Sequence, residues 1–173
     1  MKNQLVNNAD FRVAMLPVAA GTTDTQKGVV LDSEGYDSIT VVLLLGTVVT
    51  TAVITPALCD GTLANGSDQA PTTGATAITD AGGASSDKLI VLELYRPLNR
   101  YVQLWVTRAT ANITIAGAIA ILHHGKAVPV TPSADILEAT GWPAVSVPAI
   151  AKATGIKLLR DKKPGEAMRY RAG

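Results

Sequence analysis

The chain has one cysteine, Cys59, and two histidines, His123 and His124, in 173 residues. A single thiol rules out an internal disulfide, a Cys-x-x-Cys redox pair and a cysteine metal cluster. A fold without disulfides suits a reducing cytoplasm. Aromatics make up only 4% of the residues and charges 17%, against 47% hydrophobic. The core must then be filled by Val, Ile, Leu, Ala and Thr, a mixture that favours strands over helices. MKNQLVNNADFR at the N-terminus has Asn, Gln and Asp where a secretory signal carries its apolar region, so no export signal is expected. The length fits one domain with an extension.

Charge is unevenly placed. Residues 1–151 hold 8 Lys/Arg against 12 Asp/Glu, and residues 152–173 hold 7 against 2, so body and tail carry about −4 and +5.

Residues 38–59, SITVVLLLGTVVTTAVITPALC, contain no charge and are long enough to cross a bilayer as a helix. Their chemistry argues against it. Five threonines interrupt the run, Val and Ile restrict χ1, Gly46 sits in the middle and Pro56 falls in the last turn. No Lys/Arg cluster or aromatic belt flanks it. The run divides into a strand YDSITVVLLL, a connection near Gly46-Thr47 and a strand VVTTAVITPAL. Runs that are apolar on both faces predict strands covered on both sides.

The other segments continue this style. FRVAMLPV (11–18), GVVL (28–31), KLIVLELY (88–95), RYVQLWVTR (100–108) and NITIAGAIAILHH (112–124) read as strands. In RYVQLWVTR, Tyr101, Gln103, Trp105 and Thr107 share one face, and Val102, Leu104 and Val106 share the other. Gly117 among small alanines predicts a bulge or a close approach. Asp60 to Asp87, rich in Gly, Ser, Thr, Asn and Asp, reads as long surface loops. The fold class is therefore all-β, an antiparallel sandwich or barrel over residues 1–130.

Residues 131–173 differ in character, and five of the nine prolines follow His124. Ser133 to Glu138 can form one or two helical turns with Ser133 as N-cap and Gly141 as stop, and Ser146 can cap a second short helix ending at Gly155. Neither is long enough to stand alone in water, so the segment reads as an arm that packs on the body or on another molecule. Its cations Lys157, Arg160, Lys162, Lys163, Arg169 and Arg171 alternate with Ile156, Leu158, Leu159, Met168 and Tyr170. Apolar residues between charges suit an acidic protein surface better than a phosphate backbone, and no stacking platform for bases is evident. Trp142 is either an anchor for a partner or a cover for the domain's own core.

The search for reaction chemistry is mostly negative. His123 and His124 are neighbours on a strand, so their side chains are expected on opposite faces, where they cannot both hold one metal. Gly83-Ala84-Ser85-Ser86-Asp87 lacks the spacing of a nucleophile elbow. Gly21 to Lys27 fails as a phosphate loop because Gln26 replaces the second glycine. Asp32, Glu34, Asp37, Asp60 and Asp68 do not have EF-hand spacing and read as solvated loop charge. Asn65-Gly66-Ser67 and Asn112-Ile113-Thr114 are glycosylation sequons, meaningful only on secretion. No catalytic residue, metal or cofactor is expected.

The order GYDSITVVLLLG, ITPALCDGTLANGSD, RPLNRYVQLWVT, AGAIAILHHGKAVPV resembles a group of small structural proteins of tailed bacteriophages. The matching positions are Gly35, Tyr36, Asp37 and Ser38; Thr55, Pro56, Leu58, Asp60 and Gly61; Arg100, Tyr101 and Val102; Pro129 and Val130. The likeness spans roughly residues 11–130, and the arm and the His123-His124 region depart from it. The resemblance implies a jelly-roll-like domain that decorates and cements a phage head without catalysis. It would sit on the capsid outer surface after assembly in the host cytoplasm. The implied partners are the major capsid protein and further copies of the chain, as homodimer or homotrimer, with no membrane and no specific nucleic acid. The role of the arm does not follow from the resemblance; its own pattern of charges and apolar residues gives Trp142, Lys157, Leu158, Leu159, Arg160, Lys162, Lys163, Arg169, Tyr170 and Arg171 as the expected partner-binding residues. The rival classes are a carbohydrate-binding module using Tyr36, Tyr95, Tyr101, Trp105 and Trp142, a tail or head-connector module, and a barrel enzyme with His123 or His124 as base.

Overall fold

The structure, a computed structural model, describes residues 5–74, 76–126 and 133–136. The chain divides after Ala139 into two units, and the described residues all lie in the first. One helical turn, α1 (Leu5–Asn8), precedes ten strands: β1 (Ala9–Met15), β2 (Val18–Gly21), β3 (Asp24–Asp32), β4 (Tyr36–Val48), β5 (Val53–Gly61), β6 (Ala70–Gly74), β7 (Ile78–Thr79), β8 (Leu89–Tyr95), β9 (Tyr101–Ala109) and β10 (Ile113–Gly125).

The strands make two antiparallel sheets. Sheet A has the order β1-β10-β4-β8, with β2 also on β10, and sheet B has the order β3-β9-β5-β6, with β7 also on β5. β1 and β2 share one edge of β10, interrupted at Leu16-Pro17, where proline lacks the N–H a ladder needs. β6 and β7 share one edge of β5 in the same way. With each such pair counted as one strand position, the orders become 1-8-3-6 and 2-7-4-5. That is the double Greek key of a jelly roll, and the all-β expectation holds.

The core lies between the sheets and is built by alternate residues of the central strands. Ile39, Val41, Leu43 and Leu45 of β4 face Val102, Leu104 and Val106 of β9 together with Ile54 and Leu58 of β5, all with essentially no exposure. Each such side chain contributes about 1.5–3 kcal/mol by leaving water. At one end the layers close on Gly28 of β3, where a Cβ would strike the backbone carbonyl of Ala14 in β1. The bulge expected at Gly117 is present: φ is 141° and the β10–β4 register shifts beside it.

Several sequence expectations need correction. β4 runs through Gly46-Thr47 without a turn. The connection lies at Thr50-Thr51, where the Ala52 N–H donates to the Val49 carbonyl, the Thr51 N–H donates to the Asp80 carbonyl, and Thr51 takes a φ of 71°. GVVL is the second half of a nine-residue strand that starts at Asp24. The segment 60–87 is more than loop, since β6 and β7 extend sheet B within it. The uncharged run 38–59 forms strands of opposite sheets, and among the described residues no helix is long and apolar enough to cross a membrane. Finally, among the described residues β4 is covered on one face only, because its second row of apolar side chains points to the outside of sheet A.

Candidate interaction surface

Sheet A buries alternate residues of each strand, and the others form rows across its outer face. One row is Val13, Ile119, Val42 and Val91; the next contains Gly117, Leu44 and Leu89. Leu44 is 42% exposed, Ile119 48%, Val91 59% and Leu89 60%. Leu16, beside the break between β1 and β2, is 67% exposed. Leu16, Leu44, Leu89 and Ile119, with Val13 and Val42, line a shallow depression of about 440 Å³. A contiguous apolar surface on a polar-rimmed domain marks a place where another surface sits. The period of two required these residues to point away from the core, yet in the sequence the two faces of β4 look alike.

The chain returns to this sheet after β10. The Ser133 N–H donates to Asp10 Oδ1 at 2.9 Å, the Ser133 hydroxyl donates to the Phe11 carbonyl, and the Val13 N–H donates to Asp135 Oδ2 at 3.1 Å. Ser133 caps a single turn, as expected, by accepting the Asp135 N–H on its hydroxyl. Asp10 is buried and also accepts from Arg12 Nε at 2.8 Å, while Arg12 Nη1 donates to the Asp32 carbonyl. Residues 133–136 therefore lie along the outer edge of β1, at the rim of the apolar face.

Next to this face the two histidines meet, against expectation. His124 has a φ of 55°, which turns its ring back toward His123 and brings the two Nδ1 atoms to 2.8 Å. One Nδ1 must carry the proton and the other accept it. His123 Nε2 lies 2.9 Å from the Thr40 hydroxyl and 3.6 Å from Glu93. The two side chains do not diverge as strand neighbours should, because β10 leaves extended geometry at His124. Among the described residues no group of three or more His, Cys, Asp or Glu is placed to hold a metal ion.

The outer face of sheet B has a different chemistry. The Lys27 ammonium sits 4.0 Å above the Trp105 ring, Trp105 Nε1 donates to Gln103 Oε1 at 2.8 Å, and the hydroxyls of Thr25 and Thr107 pair at 2.9 Å. Arg100 binds Asp32 through two nitrogens and also reaches Glu34. The Arg100 hydrogen bonds hold the Asp32 carboxyl below its ordinary range. Arg108 is only 3% exposed, and it ties the sheets together by donating to Asp24, to the Ala19 carbonyl of β2 and to the Ile113 carbonyl of β10. That contact lowers the Asp24 pKa, with Gln26 assisting. Arg108 did not stand out in the sequence, although the alternation of RYVQLWVTR places it on the core side with Val106.

Asp60 is a buried structural staple rather than solvated charge, as is Asp80, while Asp68 is exposed but bonded to its own loop. Asp60 is buried and accepts the N–H groups of Leu98 and Asn99 and the Thr72 hydroxyl, which fixes the expected Arg96–Asn99 turn. Asp68 accepts from Thr62 and Leu63, and Asp80 accepts the Gly83 and Ser85 N–H groups; both carboxyls are lowered, Asp68 chiefly by Thr62 and Asp80 chiefly by Ser85. Cys59 is buried, and burial pushes its thiol up to about 11.

Trp142, Lys157, Leu158, Leu159, Arg160, Lys162, Lys163, Arg169, Tyr170 and Arg171 lie outside the described residues. So do the expected Ser146 cap and the remainder of the first helical segment. The aromatics suggested as a sugar platform are dispersed: Tyr101 and Trp105 belong to the outer face of sheet B, Tyr95 to that of sheet A, and Tyr36 packs against the core. No family model matches the chain, and no curated protein matches it. Among solved structures, the crystal structure of PBSX exported protein XepA is similar over 86% of this chain and 50% of that one, with 13% identity and a TM-score of 0.48. This chain thus spans half the length of that protein.

Proposed function

We propose that the chain is a structural protein of a tailed-phage particle that decorates and stabilises the head, bridging neighbouring major capsid subunits and copies of itself without catalysis. The observation that carries this reading is the outer face of sheet A. Val42, Leu44, Leu89, Val91 and Ile119 form an apolar surface on a rigid two-layer frame, the kind of patch that a flat protein partner covers. The resemblance of its motif order to that of phage structural proteins supports the partner class. The cations of residues 157–171 supply a second contact, to an acidic protein surface, and two weak contacts on one chain add by avidity.

The test is co-sedimentation of the purified chain with expanded heads of the phage that carries it. The full chain pellets with the heads. Ile119→Glu, which places a charge in the apolar row, loses binding while its circular dichroism stays β-type. A truncation after Ile136, which keeps the bonds to Asp10 and Val13, stays folded and binds poorly. Undiminished binding by Ile119→Glu would remove the face from the proposal. A full chain that ignores every head preparation would end it.

A further inference from the structure

Of the sheet edges, three carry features that discourage another strand from pairing. β6 contains Pro71 and β3 breaks register between Lys27 and Val30. The β1 edge is occupied by Ser133 and Asp135. β8 has none of these. It pairs with β4 in unbroken register from Leu89 to Tyr95, without proline or glycine, and carries one charge, Glu93. Natural edges are normally guarded, so an apolar unguarded edge calls for an occupant.

The ladder shows which backbone groups that edge offers. The Arg96 N–H donates to the Asp37 carbonyl and the Leu45 N–H to the Lys88 carbonyl. Hydrogen-bonded pairs alternate in an antiparallel ladder, so Ile90, Leu92 and Leu94 point their N–H and C=O groups at β4. Leu89, Val91, Glu93 and Tyr95 then point theirs away from it, and no described residue bonds to them. The same four residues turn their side chains to solvent on the outer face.

We propose that this edge is the seam for a second copy of the chain, joined β8 to β8 about a two-fold axis at Leu92 into one eight-stranded sheet. LIVLELY is close to self-complementary in that arrangement. Leu89 faces Tyr95 of the second copy, Ile90 faces Leu94, Leu92 faces itself, and Glu93 faces Val91 rather than the other Glu93. Every outward N–H and C=O of the four edge residues finds a partner, an outcome that an isologous contact achieves on both copies at once. Lys88 and Arg96 come opposite each other at the two ends, so added salt tightens the pairing by screening them. The seam spans about 24 Å for seven residues and falls at the small end of interface sizes. It is weak in dilute solution and strengthened wherever a shell holds copies side by side. This inference specifies the self-association within the proposed function and rests on that reading only there.

Sedimentation of the full-length protein tests it. At about 100 µM, a range suited to small interfaces, the wild type moves as two chains, and more completely as salt rises. Val91→Pro removes an N–H that β4 does not use, and Val91→Glu sets a carboxylate opposite Glu93 of the second copy; both stay single chains with unchanged circular dichroism. If Val91→Pro unfolds, Val91→Glu decides. A wild type that remains one chain at high salt, or a Val91→Glu that pairs as well as wild type at the same salt, overturns the seam. Head binding retained in the face of either result leaves the proposed function standing, whereas Ile119→Glu tests that function away from the seam.

Discussion

Sheet A turns Val42, Leu44, Val91 and Ile119 to water with no polar partner among them. Sheet B turns out Gln103, Trp105 and Thr107, each tied to a neighbour by a hydrogen bond, and Trp105 also lies beneath an ammonium. Both sheets bury the same kind of inner face, so the core alone cannot explain the contrast. Polar side chains that satisfy one another make a finished surface, which gains little from a partner. Exposed aliphatic rows make an unfinished one, which gains roughly 25 cal/mol for each Å² that a partner covers.

The largest effect expected is on the joint between the faces. Arg108→Ala strands the carbonyls of Ala19 and Ile113 and removes the cation paired with Asp24. Urea unfolding should show a loss of about 3 kcal/mol, which would blur the contrast by loosening both sheets. A loss under about 0.5 kcal/mol, the scale of an ordinary surface change, would mean the joint is not made.

A pair of substitutions sharpens the contrast directly. Trp105→Ala on sheet B loses the Lys27 contact and the Gln103 bond and should cost about 1.5 kcal/mol. Leu44→Ser on sheet A, measured in the dilute single chain, should cost under about 0.5 kcal/mol. Equal costs would mean that the aliphatic face is already covered within one molecule.

Acid provides the mildest probe. The carboxyls of Asp24 and Asp32 are lowered in the folded state, by Arg108 and Arg100 respectively. As pH falls, the unfolded chain takes up these protons first, near the ordinary carboxylate value of about 3.9. Their contribution is therefore complete above that value and is lost as pH drops through the lower folded values. The urea midpoint should fall as pH drops below about 4, and Asp32→Asn should flatten part of that slope. An unchanged slope would show that Arg100 does not hold Asp32 in solution.

Much of this architecture is legible in the sequence. RYVQLWVTR shows its inner and outer faces by alternation, KLIVLELY reads as a strand, and Arg96-Pro97-Leu98-Asn99 announces a turn. Gly46 misleads because glycine in an apolar run signals a turn as readily as it signals a strand beside a bulge. The histidine contact was hidden because it depends on one left-handed residue, His124. Whether the second face of β4 is covered cannot be read from β4, since a cover consists of residues elsewhere in the chain or in another molecule. The edge groups of β8 become visible only once the parity of its ladder with β4 is known.

The bonds of Ser133 and Asp135 to Asp10, Phe11 and Val13 fasten the departing chain to the rim of sheet A opposite β8. A pull on the chain beyond Ile136 is met there first, and tension reaches the end of β10 only after that mooring parts. In two copies joined along β8, the moorings would stand on opposite rims, about 34 Å apart across eight strands. Such a plank is tethered at both ends and has its seam in the middle, so prising up one end leaves the other tether holding.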